Sequence, residues 1–317
     1  MFAKILEKTY KHTEEQQTNH QIFITLCSLL YLYAMYSIGK GFYFLKDALK
    51  HLYDDREAAA IAHEVMEHIT GLDKTGRLIH KELLLTSEQE TKFNQSLLSL
   101  QKGVPMQYVT GTAWFMGNKY AVTPDVLIPR PETEELVQWI VNEGSVNAAV
   151  ILEIGSGSGC IPISLKMKLP YSDITSCDIS EWALKVARKN AEGLGAVVTF
   201  KHTDFLNQDH WVDYGTYDII VSNPPYIPVS EKEKLHINVR ENEPATALFV
   251  PDDDALVFYR AIAHFGLNHL KEGGIIYCEL DAAHAVETKE LFEQTGYTIV
   301  TLKADMFNNL RMLKASI

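Results

Sequence analysis

The chain is 317 residues long, enough for two domains of ordinary size with separate cores. With 46% hydrophobic and 22% charged residues it has the composition of a soluble globular protein. Lys and Arg number 29 against 41 Asp and Glu, a formal net charge of −12 that repels polyphosphate and argues against duplex DNA or RNA as the substrate.

Residues 1–40 read as an N-terminal extension. Within it, 21–38 (QIFITLCSLLYLYAMYSI) carries no charged side chain and approaches the length that spans a bilayer. Its Gln, Tyr, Ser and Thr content and the mixed-charge leader before it argue against an anchor, and no small-residue cleavage site marks a signal peptide. A surface-packed extension and a misassigned start site are the competing readings. No membrane association is expected apart from a weak anchor at 21–38.

Residues 41–102 are expected to form a small helical bundle. DDREAAAIAHEVMEHITGL has apolar residues at helical spacing and ends at Gly71. TSEQETKFNQSLLSLQKG opens on a capping-box pattern at Ser87 and Glu90 and stops at Gly103. His63 and His68 in HEVMEH are five apart, which turns their rings off a common helix face, so no metal site is expected. Residues 103–130 change to β-type and turn residues and are expected to link the bundle to the rest through a β-hairpin, with a helix starting near Pro131.

From 131 to 317, and clearly after Ala148, short apolar runs alternate with helical patterns: AVILEIG, CIPISLKMKL, DITSCD, SEWALKVARKNAEGL, VVTFKH, YDIIVS, ALVFYRAIAHFGLNHL, GGIIYCEL and HAVETKELFEQTG. That alternation predicts βαβ units, an α/β fold whose parallel sheet has helices on both faces and whose ligands bind at the carboxyl ends of the strands. Cys27, Cys160, Cys177 and Cys278 share no metal or redox spacing and read as reduced thiols.

Four strand ends carry the candidate chemistry. In LEIGSGSGC, Gly155, Gly157 and Gly159 let the backbone turn tightly against a ligand where a helix begins, with Ser156 and Ser158 between them. Asp178, closing the next strand, can accept from both hydroxyls of a ribose. The spacing is G-x-G-x-G, with Cys160 last, and not the dinucleotide G-x-G-x-x-G. Glu153 before the first glycine suits the amino group of a methionine moiety. After the third strand, Asp204 can accept from an adenine amino group and Phe205 can pack on the ring; a solvated loop Asp beside a core Phe is the competing reading. The fourth strand delivers SNPPYIP. Pro224 and Pro225 lack N–H groups and have fixed φ, so the side-chain oxygen of Asn223 and the carbonyl of Pro224 sit on a stiff loop end as two acceptors for one planar NH2 group. Such a pair directs both N–H bonds and stabilises positive charge developing on a poorly nucleophilic nitrogen, while Tyr226 can stack on the flat group. The catalytic candidates are therefore Asn223, Pro224 and Tyr226, with Pro225 completing the substrate-binding loop.

The set QYVTG, LIPRPETEELV, LEIGSGSGC, CDIS, SNPPYIP and VRENEPATAL closely resembles the bacterial protein-(glutamine-N5) methyltransferases of peptide chain release factors, the HemK/PrmC type, over roughly residues 45 to 315. The resemblance implies a Rossmann-like class I methyltransferase with a mixed, mainly parallel seven-stranded sheet, S-adenosylmethionine as cofactor, and the glutamine of the release factors' Gly-Gly-Gln loop as substrate. It also implies that Gly155 through Gly159, Asp178, Phe205 and Asn223 line the cofactor pocket, that Asn223 to Tyr226 hold the glutamine amide, and that the N-terminal domain helps grip the release factor. A cytoplasmic monomer without direct nucleic-acid contacts is expected. Asp281, His284 and Asn308 depart from the family pattern, which usually has Gly, Gln and Gly there, and the extension before residue 41 lies outside it. An adenine amino methyltransferase of DNA or RNA, a methyltransferase of ribosomal-protein glutamine and an inactive binding module are the alternatives; the absence of a basic target domain speaks against the first and the intact motifs against the last.

Overall fold

The computed structural model describes residues 36–143 and 148–317, which fall into two compact units divided between Thr110 and Gly111. The apolar stretch 21–35, with Cys27, lies outside the described residues. Among the described residues no helix is long and apolar enough to cross a membrane.

The first unit is helical: α1 (Ile38–Leu49), α2 (Asp55–Thr70), α3 (Lys74–Ile79), α4 (Ser87–Gln101) and α5 (Met106–Thr110). Helix α2 starts where the side chain of Asp54 accepts from the amides of Arg56 and Glu57, and it stops at Gly71, whose φ of 69° is open to glycine without penalty. The capping box of α4 is one residue earlier than the sequence suggests. Thr86, in extended backbone geometry, caps the amide of Gln89 and the Gln89 side chain reaches back, which leaves Ser87 and Glu90 inside the helix. The apolar faces close on Leu45, Leu49, Ala62, Val65, Met66, Phe93 and Leu100. His63 stacks on Phe42, and burial together with the charges of Lys74 and Arg77 holds it below the ordinary imidazole range. Among the described residues no cluster of His, Cys, Asp or Glu is placed to hold a metal ion.

The second unit opens with an antiparallel hairpin, β1 (Thr112–Phe115) and β2 (Asn118–Ala121), followed by α6 (Pro131–Asn142), with proline at its first helical position. The remaining elements are β3 (Val150–Ile154), α7 (Cys160–Lys168), β4 (Asp173–Asp178), α8 (Glu181–Leu194), β5 (Thr199–His202), β6 (Tyr217–Ser222), β7 (Ile227–Pro228), α9 (Ile237–Arg240), α10 (Ala245–Leu248), β8 (Phe249–Val250), α11 (Val257–His269), β9 (Leu270–Glu279), α12 (Ala285–Thr295), β10 (Ile299–Ala304) and β11 (Leu310–Ser316). The seven-stranded sheet has the order β10-β11-β9-β6-β3-β4-β5, with β11 antiparallel and the block β9-β6-β3-β4-β5 parallel. Its central strands are apolar on both faces because both are covered: Leu152 and Ile220 point into one core cluster, Ile151 and Val221 into the other.

Parallel pairing brings the carboxyl ends of β3, β4 and β6 together. The hydroxyl of Ser222 donates to the carbonyl of Ile154 at 2.7 Å, and the amides of Gly155 and Ser156 donate to the carbonyl of Cys177 at 2.8 and 3.1 Å. The glycine loop and the Asn-Pro-Pro-Tyr loop are thus bonded to the same strand ends. Beyond Tyr226 the chain makes an excursion with its own two-stranded parallel pairing of β7 and β8 before it returns in α11.

Candidate active site

The strand ends open into a cavity of about 340 Å³ lined by the glycine loop, Asp178, the 203–206 turn and the Asn223-Pro224-Pro225 segment. Of the residues picked out from sequence, Gly155, Ser156, Gly157, Ser158, Asp178, Asp204, Phe205, Asn223, Pro224 and Pro225 line it, whereas Glu153, Gly159 and Tyr226 do not.

The glycines divide the work. Gly155 and Gly157 have φ of 91° and 50°; a Cβ on Gly155 would meet nothing nearer than the Asn223 carbonyl at 3.8 Å, and one on Gly157 nothing within 4 Å. They are open cradle positions. Gly159, with φ of 80°, is a packing position: a Cβ there would lie 2.8 Å from Ile163 Cδ1 and 3.1 Å from Ala187 Cβ, because α7 and α8 close in behind the loop.

Asp178 holds the loop to β4, accepting from the Gly157 amide at 2.9 Å and the Ser180 amide at 2.8 Å. Burial raises its carboxyl above the ordinary range, and these donors oppose the shift. Each carboxylate oxygen has a second lone pair, so acceptor capacity remains for a ligand. Glu153 is wholly buried beneath the loop. Its Oε2 accepts from Ser176, its Oε1 has no hydrogen-bond partner, and burial pushes the carboxyl up to about 8. Phe205 packs tilted on Trp211 and edge-on to Phe265, so its ring is fixed at the cavity wall, and the indole of Trp211 donates to its carbonyl. The carboxylate of Asp204 accepts from the Leu206 amide at 3.0 Å and shapes that turn.

Asn223 is anchored by residues not picked out from sequence. Its Nδ2 donates to Thr133 Oγ1 at 3.1 Å, and the Thr133 hydroxyl donates to Glu279 Oε2 at 2.6 Å. Thr133 stands in the first turn of α6 and Glu279 closes β9; both are buried. Burial pushes the Glu279 carboxyl up to about 7, opposed by the Thr133 bond, with Glu132 adding to the rise and Arg311 and Arg130 opposing it. Arg130, on the cavity wall, pairs with buried Glu243 at 2.6 Å, and Glu243 also accepts from the Ile128 amide. The IPRPETE and ENEPATAL strings meet through that pair. Thr133 and Arg130 were visible in the first string, and a glutamate closing the apolar strand IIYCEL was the signal for Glu279. Tyr226 is half-buried against the main core cluster, beneath the loop whose Pro225 faces the cavity.

The cavity, the glycine cradle and the Asn223 amide thus lie together at the carboxyl ends of the parallel strands. A model described as "Methyltransferase small domain" matches residues 132–242, and one described as "PrmC N-terminal domain" matches residues 44–111. A curated protein from Bacteroides thetaiotaomicron, "Release factor glutamine methyltransferase", is 40% identical over 273 residues, spanning 86% of this chain and 98% of that protein. The chain belongs to the release factor glutamine methyltransferase family. A second member, from Flavobacterium psychrophilum, is 38% identical over 278 residues, 85% of this chain and 95% of its own. Among solved structures, a methyltransferase from Pyrococcus furiosus aligns with a TM-score of 0.45 at 19% identity, over 63% of this chain and 89% of that one.

The departures from the family pattern serve local turns. Asn308 takes a φ of 66°, a left-handed conformation that asparagine tolerates better than most residues. The side chain of Asp281 accepts from the Ala283 amide, and His284 Nδ1 lies 2.7 Å from Glu287 Oε2. Neither lines the cavity.

Proposed function

We propose that this methyltransferase modifies the side-chain amide nitrogen of the glutamine in the Gly-Gly-Gln loop of peptide chain release factors, with S-adenosylmethionine as methyl donor, in the cytoplasm. The observation that carries the reading is the Asn223 side chain, held on the cavity wall with its nitrogen tied to Thr133, so that its oxygen is the atom it offers a ligand.

The residues present fit the cofactor. Gly155 and Gly157 leave an open cradle for backbone contact, Asp178 offers carboxylate oxygens for ribose hydroxyls, and Phe205 gives a flat wall for a purine. Glu153, with one unpartnered buried oxygen under the loop, is the acceptor for a methionine amino group once that group reaches the loop. When bound, S-adenosylmethionine supplies an electrophilic methyl on sulfur. The protein's part is to orient the nucleophile. The Asn223 oxygen and the Pro224 carbonyl accept the two N–H bonds of the glutamine amide, point the nitrogen's face at the methyl, and stabilise positive charge as it develops there. The prolines keep both acceptors still, which lowers the reorganisation needed at reaction. The helical domain read at residues 41–102 is assigned to gripping the release factor.

The test is incubation of the full chain with S-adenosylmethionine and a release factor, followed by peptide mass spectrometry. One added methyl on the Gly-Gly-Gln glutamine is expected. A methyl found only on DNA or RNA, or no transfer at all, overturns the reading.

A further inference from the structure

We propose that Thr133 and Glu279 are positioning residues that set which way the Asn223 amide faces, and so whether it presents an oxygen to the substrate. The proposal rests on the amide-transfer reading given above and extends it to two residues that do not touch the reacting atoms.

The geometry makes the relay directional. When Glu279 is ionised, its carboxylate has only acceptors to offer, and a threonine hydroxyl carries a single proton; burial raises this carboxyl to about 7, so the relay is set in this direction above that pH. With that proton committed to Glu279 at 2.6 Å, Thr133 Oγ1 can meet Asn223 only as an acceptor, at 3.1 Å. The Asn223 group turned toward it must therefore be the NH2. The oxygen is left on the other side of a planar amide, where the Pro224 carbonyl is its neighbour along the chain. Without the relay the two ends of the amide are nearly the same size, and the flipped rotamer would put an NH2 where the substrate's own NH2 must dock. Donor would face donor.

The elements fix the parts independently. Thr133 comes from the first turn of α6, Glu279 from the end of β9, and Asn223 from the loop after β6, which pairs directly with β9. Thr133 has 2% and Glu279 2% of its surface exposed, so water does not compete for these bonds. Outer hydrogen bonds that orient metal ligands change function ten- to a hundredfold when removed, and that scale is taken for this relay.

The test is a series at one position: Thr133→Ser keeps the hydroxyl, Thr133→Val keeps the shape, and Thr133→Ala keeps neither. Ser and Ala both lack the methyl group, so that pair isolates the hydroxyl even if Val packs badly and fails to fold. The readouts are kcat and KM for release-factor methylation, thermal melting, and calorimetric affinity for S-adenosylhomocysteine. The expected result is a Ser rate several times below wild type at most, Ala and Val rates about 10- to 100-fold lower in kcat per folded enzyme, product affinity of Ala close to that of Ser, and a melting point of Ala below that of Ser because buried Glu279 loses its donor. Equal kcat for Ser and Ala, or a fall that simply follows the loss of folded protein, overturns the proposal while leaving the substrate assignment intact. A wild-type enzyme that does not methylate release factors overturns the substrate assignment itself, and the proposal with it.

Discussion

Gly159→Ala should destabilise the catalytic unit well beyond what glycine replacement at a left-handed position ordinarily does. The backbone there has φ of 80°, which costs an L-residue about 1–2 kcal/mol. The new methyl group would lie 2.8 Å from Ile163 Cδ1 and 3.1 and 3.2 Å from Ala187 Cβ and Cα. Ile163 and Ala187 are both buried, and although the Cδ1 end of Ile163 can turn away, the Ala187 backbone of α8 cannot, so overpacking adds about 1–3 kcal/mol. The sum is about 2–5 kcal/mol. Gly157→Ala is the matched control: its φ is also positive, at 50°, but nothing lies within 4 Å of the added carbon, so only the conformational part, about 1–2 kcal/mol, should appear. Entropy lost by the unfolded chain is the same in both and cancels. All four tryptophans, 114, 139, 182 and 211, belong to the second unit, so fluorescence-monitored urea unfolding without cofactor reads that unit alone. Equal unfolding free energies for the two variants would refute the assignment of Gly159 to packing.

Asn223→Ala should lower turnover by about a hundredfold or more, the effect of losing one oriented polar contact to a transition state, with much of the affinity for S-adenosylhomocysteine retained; a rate near wild type removes Asn223 from the mechanism. Glu153 gives a pH signature. Its carboxyl rises from 4.5 to about 8 in the folded chain, so between those values the native state holds a proton that the unfolded state has released. Stability from this group is present below pH 4.5 and is lost at about 1.4 kcal/mol per pH unit as the pH rises toward 8. Urea unfolding across that range should show a flatter pH dependence for Glu153→Gln than for wild type, and parallel curves would contradict the shift. Arg130→Met leaves the buried Glu243 carboxylate without its cation and should cost about 1–3 kcal/mol of stability, measured by the same unfolding assay against Glu243→Gln.

Much of the site was legible before any coordinates. Glycines at alternate positions after an apolar run, an acid closing the next strand and two prolines after a third are local patterns, and parallel pairing of β3, β4 and β6 carries them to one edge of the sheet. What escaped was whatever depends on two distant segments meeting. Thr133 is separated from Asn223 by 90 residues and from Glu279 by 146, and neither interval carries a periodicity that predicts contact. Tyr226, read from sequence as a ring that stacks on the substrate, is half-buried against the main core cluster. The capping box slipped by one residue because Thr86 and Ser87 are both competent caps and only backbone geometry distinguishes them.

By itself the sequence determined the chemistry that could be offered: a flexible glycine turn, a terminal carboxylate and two immobilised acceptors, each a property of neighbours along the chain. Only the tertiary structure decided which way those groups face. Orientation of a planar amide is set by what lies within a hydrogen bond's length of it, and for Asn223 that partner is supplied by a helix and a strand far away in sequence.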